Sequence, residues 1–142
     1  MISERQELLV IHALRAALER LQNSRGRYLL DPEFPRNRFA NPRYQEICLA
    51  FAVAVKRRIC LPEEVMDVDL EAAASATLEG WLACVHRSGA IRVDPGESLD
   101  PQATAYGAFA VSQTILLLGD LIPVLVRKKA LAILKKTTRY LT

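Results

Sequence analysis

Residues 102–119, QATAYGAFAVSQTILLLG, run for 18 positions without a charge, and this stretch constrains the fold more than any other. Asp100-Pro101 precedes it: a capping side chain, then a proline at the first helical position, where a missing N–H removes no hydrogen bond. Gly119 closes it. A helix so bounded and so uncharged has to be hidden from water on most sides. Eighteen residues is the lower limit for crossing a bilayer. However, Thr104, Ser112, Gln113 and Thr114 dilute the hydrophobicity, and Gly119-Asp120 breaks the run. Ala103, Ala105, Gly107, Ala108, Ala110 and Ser112 make its first half small enough for a neighbouring helix to come close. The expectation is a core helix, with membrane association through residues 102–126 as the alternative.

The same cap-plus-proline device recurs at Asn41-Pro42, ahead of YQEICLAFAVAV. Tyr44, Ile47, Cys48, Phe51 and Val55 share one helical face, and the positions between are apolar too, so this second helix is also central. FAVAV alone would suit a short strand, but the alanines and the cap favour helix. The first helix opens on the capping box Ser3–Gln6, and Leu8, Ile11, Leu14, Leu18 and Leu21 form a single stripe. A third helix follows Leu61-Pro62 and opens on Glu63 and Glu64. Its buried face is Met66, Leu70, Ala73, Ala74, Leu78, Trp81 and Val85, and Gly89 stops it. Residues 91–100 read as a loop with one extended piece at Ile91–Val93. Asp120 reads as the N-cap of a fifth helix, with Pro123 in its first turn. A winged-helix variant over residues 78–96 lacks a second wing strand and a helix-turn-helix before it. The fold expected is all-α: a five-helix, bundle-like single domain over residues 1–142.

Between the first two helices lies DPEFPRNRFANPR, residues 31–43, with three prolines and three arginines. The prolines fix φ and push their predecessors to extended conformations, so the segment is a strap rather than a helix. Phe34 and Phe39 would anchor it. Arg36, Arg38 and Arg43 would then face outward, as a packed strap or as a partner- or anion-binding site.

No catalytic constellation is present in the sequence. A Gly-rich phosphate loop, a nucleophile elbow and HExxH are all missing. Cys84 and His86 stand two apart on a helix and point to opposite sides, which argues against a shared metal. Cys48, Cys60 and Cys84 lack the close spacing of zinc or redox motifs and read as buried thiols in a reducing compartment. The start MISERQELLV carries charges where a signal peptide needs an apolar run, so cytoplasmic is the default. No cofactor and no enzymatic activity are expected.

The last helix carries the sharpest signal. Six basic residues and no acid lie between Arg127 and Arg139. On a helical wheel Val126, Ala130, Ile133, Leu134, Thr137, Tyr140 and Leu141 form one arc. Lys128, Lys135 and Arg139 lie opposite, with Lys129 and Lys136 beside them. Such a face can be solvated, bind phosphates, or meet the acidic stretch 63–71 of the same chain or a neighbouring copy. The function expected is a non-enzymatic protein-interaction module that associates with itself, as a homodimer or larger, or with another protein. The alternative is a nucleic-acid binder using the last helix and the arginine strap. A net charge of +3 is weak for the latter.

Overall fold

Capping chemistry divides the chain where its proline and glycine signals fall. The structure, a computed structural model, describes residues 4–23, 41–57, 69–94, 96 and 98–142. Among them are five helices of ten or more residues: α1 (Glu4–Asn23), α3 (Cys48–Arg57), α4 (Leu70–Cys84), α5 (Pro101–Leu118) and α6 (Val124–Leu141). A one-turn helix, α2 (Pro42–Gln45), precedes α3, and a 3-10 turn, Gly119–Leu121, joins α5 to α6. No strand occurs among the described residues; a lone antiparallel bridge pairs Ile91 with Asp100. The architecture is an all-α bundle. The strap with Arg36 and Arg38, the Ser3 cap, Cys60, Glu63, Glu64 and Met66 lie outside the described residues.

Helix α3 is the hub and packs against α4, α5 and α1. Phe51, Cys48 and Ala52 are fully buried, so FAVAV is helical and central as its alanines suggest. The helix expected from Pro42 onward is, however, interrupted at residues 46–47. There the Leu49 N–H bonds to the Glu46 carbonyl three residues back (3.1 Å), which tightens the turn before the regular ladder resumes with Phe51 on Ile47. The helix that carries Trp81 begins at Leu70. Asp69 holds an extended conformation before it and accepts from the Ala72 N–H at 3.0 Å.

Helix α5 buries Ala103, Gly107, Ala110 and Thr114, spaced as one helical stripe. A Cβ at Gly107 would lie 2.8 Å from the Trp81 indole nitrogen, so the small residues of α5 serve close packing within the chain. Buried threonines satisfy themselves locally: Thr104, Thr114 and Thr77 each donate to the carbonyl four residues back. The Asp100 carboxylate accepts from the Ala103 N–H at 2.8 Å, the cap read from the sequence.

Helix α6 is held at both ends. Ile122, fully buried, anchors its start. Near its other end the turn at His86–Ala90 lies on its backbone: Thr137 donates to the Gly89 carbonyl at 2.7 Å, and Gly89 takes a φ of +88°. Among the described residues, helix α1 buries a single stripe. Leu14, Ala17, Leu18 and Leu21 are buried, whereas Leu8, placed on the same stripe by periodicity, is exposed together with Leu9. Among the described residues, the buried side chains of α1 lie in its C-terminal half.

Candidate interaction surfaces

Two kinds of outward surface meet on α5 and α6. The first is basic. Burial of Val126, Ala130 and Thr137 fixes the rotation of α6, and that rotation turns Lys128, Lys135 and Arg139 directly away from the core, with Lys129 and Lys136 beside them. All five are exposed, and among the described residues none is ion-paired. The amphipathic wheel is therefore the observed one, although Leu141, placed on the buried arc, is exposed at the chain end.

The second surface is apolar, and the sequence reading missed it. Among the described residues ten large hydrophobics are exposed, and eight of them belong to α5, the 3-10 turn or α6. Tyr106, Phe109 and Leu116 stand on the outer side of the uncharged helix α5. Leu121, Val124 and Leu125 continue from Leu116 around the corner into α6, and Leu116 and Leu125 are 74% and 73% exposed. The signal lay in the alternation itself. With Ala110, Thr114 and Leu118 turned inward, Phe109 and Leu116 have to face out.

Asp120 lies at this corner. It does not cap the following helix: Pro123 occupies that position, with no side-chain cap. Gly119, at φ +51°, turns the chain so that Asp120 projects into solvent, 97% exposed, where it pairs with Arg127. This leaves it an ordinary surface carboxylate rather than a buried acid.

Between α4 and the start of α6 run two shallow concavities that share Glu79 and Pro123, about 400 and 540 Å³ in volume. Leu82, Ala83 and Val126 line the larger one; Glu79 stands on its α4 side, Leu125 and Lys129 on its α6 side. The smaller one carries Asp69 and Glu71 beside Leu121. These two acids belong to the 63–71 stretch, and among the described residues neither reaches a base of α6.

Arg43, the one described arginine of the strap, is engaged within the chain. Its guanidinium pairs with Glu46 at 2.8 Å and lies 5.2 Å from the centroid of the Tyr106 ring. Burial pushes the Glu46 carboxyl up to about 7, against the opposing pull of Arg43. The indole N–H of Trp81 is buried nearby without a hydrogen-bond partner among the described residues. His86 ends in the turn after α4, where its Nδ1 meets the Ser88 hydroxyl at 2.8 Å and the Ser88 N–H at 3.3 Å. Burial pushes Cys48 up to about 11 and Cys84 to about 12, which makes both inert thiols at neutral pH. No group of three or more His, Cys, Asp or Glu among the described residues is placed to hold a metal ion. Nor is any helix among them long and apolar enough to cross a membrane.

Comparison with known proteins finds no matching family model, and no characterised protein or solved structure similar to the chain.

Proposed function

We propose that this protein is a helical interaction module that binds protein, including a second copy of itself, through the apolar surface of α5 and the start of α6. The observation that supports it is the concentration of exposed large hydrophobics there: Tyr106, Phe109, Leu116, Leu121, Val124 and Leu125, six of the ten among the described residues. Soluble monomers rarely leave such residues grouped, and grouped exposure marks interaction sites. The small residues of α5 are spent on Trp81 and α3, so self-association rests on the large outward side chains and not on close helix contact through Gly107. Light scattering over a wide concentration range tests the reading. The expected result is a mass that rises above 15.9 kDa with concentration, and a particle of 15.9 kDa throughout contradicts it.

A second reading is favoured by the row Lys128, Lys135 and Arg139, exposed and without ion pairs among the described residues. Here the row binds the phosphates of a nucleic acid. Affinity then falls steeply with salt, and each lost contact lowers the log–log slope by about one unit. Reversing Lys135 and Arg139 weakens binding to all sequences alike while leaving the fold intact. An affinity for duplex or single-stranded DNA or RNA that ignores salt and the double reversal rejects it.

A further inference from the structure

We infer that the partner copy docks in the groove between α4 and α6, in a two-fold dimer that pairs Glu79 of each protomer with Lys129 of the other. This rests on the self-association proposed above and centres it on the α4 side of the start of α6, where Leu125 belongs to both surfaces, and it adds the register.

The groove is lined by half-buried Leu82, exposed Ala83 and buried Val126, with charges of opposite sign on its two sides. Glu79 stands on the α4 side and Lys129 on the α6 side. Within the chain the two do not pair, and neither has another ion-pair partner among the described residues. A two-fold axis running along the groove, in the plane of the interface, places the rims of one copy over the opposite rims of the other, so each Lys129 falls opposite the Glu79 of the other copy. A patch with one acidic and one basic rim is self-complementary under that operation, which is what a symmetric dimer requires. Leu125, 73% exposed on the α6 side, then packs against Leu82 and Ala83 of the other copy. Asp69 and Glu71 extend the acidic rim towards the start of α4. An anionic membrane or a nucleic acid would suffer repulsion from the acidic rim; a second copy is attracted by both.

The test is a charge swap shared between two chains. Glu79→Lys and Lys129→Glu are made separately, checked for unchanged helix content by circular dichroism, and run in sedimentation velocity beside the wild type. An equimolar mixture of the two variants is run with them. Each reversal occurs twice per dimer and turns an attraction into a repulsion, so each variant alone should dimerise about ten- to hundredfold more weakly. In the mixed dimer the introduced lysine of one chain faces the introduced glutamate of the other. The unaltered Lys129 of the first chain faces the unaltered Glu79 of the second, so both pairs attract. Dimerisation should therefore recover to near the wild-type level, with native mass spectrometry showing one copy of each variant. A wild-type dimer indifferent to both reversals overturns this interface while leaving self-association standing. Weakened variants whose mixture does not recover also overturn it, because pairing inside one chain cannot be rescued by mixing. A wild type that stays monomeric removes both proposals.

Discussion

Replacing Gly89 by alanine should detach the turn after α4 from α6. Gly89 sits at φ +88°, where an L side chain is strained by about 1–2 kcal/mol. The added Cβ would also lie 2.8 Å from the Lys136 carbonyl carbon and from the Thr137 Cα, backbone atoms that cannot swing aside. Relief requires the turn to lift, which breaks the buried bond from the Thr137 hydroxyl to the Gly89 carbonyl. Leaving that carbonyl unsatisfied costs about 1–3 kcal/mol, so the total is roughly 2–5 kcal/mol. For a domain of this size that corresponds to a fall in Tm of roughly 7–17 °C. Thr137→Val removes only the hydrogen bond and should cost about 1–2 kcal/mol. The double variant should be little worse than Gly89→Ala alone, because the lifted turn has already lost what the second change removes. Urea unfolding followed by circular dichroism reads all three. A loss below about 1 kcal/mol for Gly89→Ala, or strict additivity in the double variant, would refute the reasoning.

Three further perturbations follow from the packing. Gly107→Ala places a methyl against the Trp81 ring, which is fully buried and has nowhere to go; it should cost about 1–3 kcal/mol and shift the emission of the single tryptophan, while unchanged fluorescence would contradict the contact. The Glu46 carboxyl, pushed up to about 7 by burial, binds its proton more tightly folded than unfolded; its contribution is full below the ordinary carboxylate range and is lost as pH rises towards about 7, so Glu46→Gln should flatten the stability–pH curve in that window. Cys48, fully buried and held as a thiol, should alkylate in the native protein only as fast as the chain opens, and more slowly than half-buried Cys84, measured peptide by peptide; rapid alkylation of Cys48 would contradict its burial.

Much of the fold could be read from local chemistry. The two cap-plus-proline pairs, Asn41-Pro42 and Asp100-Pro101, start helices because their side-chain oxygens accept from backbone N–H groups within the same turn. Such signals depend mainly on neighbours in sequence. What misled depends on contacts that sequence spacing cannot show. Asp120 has the composition of a cap, yet Gly119 takes a positive φ and carries it into solvent, and Pro123 takes the cap position. Leu8 fits the stripe of α1, yet it stays 57% exposed. The basic face of α6 was legible because its apolar arc is regular. The apolar corner was not: a leucine in an uncharged helix reads as core until the rotation of that helix is known. Leu116 and Leu125 became surface residues only when Thr114, Leu118 and Val126 were seen to hold the inward positions.

The central claim, that the corner between α5 and α6 binds a second copy of the chain, is tested most directly by measuring the mass of the Leu125→Ser variant beside the wild type in sedimentation equilibrium. Leu125 is 73% exposed, so the substitution should leave stability within about 0.5 kcal/mol of the wild type. The account predicts a wild type heavier than 15.9 kDa at high concentration and a variant that remains at 15.9 kDa under the same conditions. Two equally stable chains that share one association curve would contradict it.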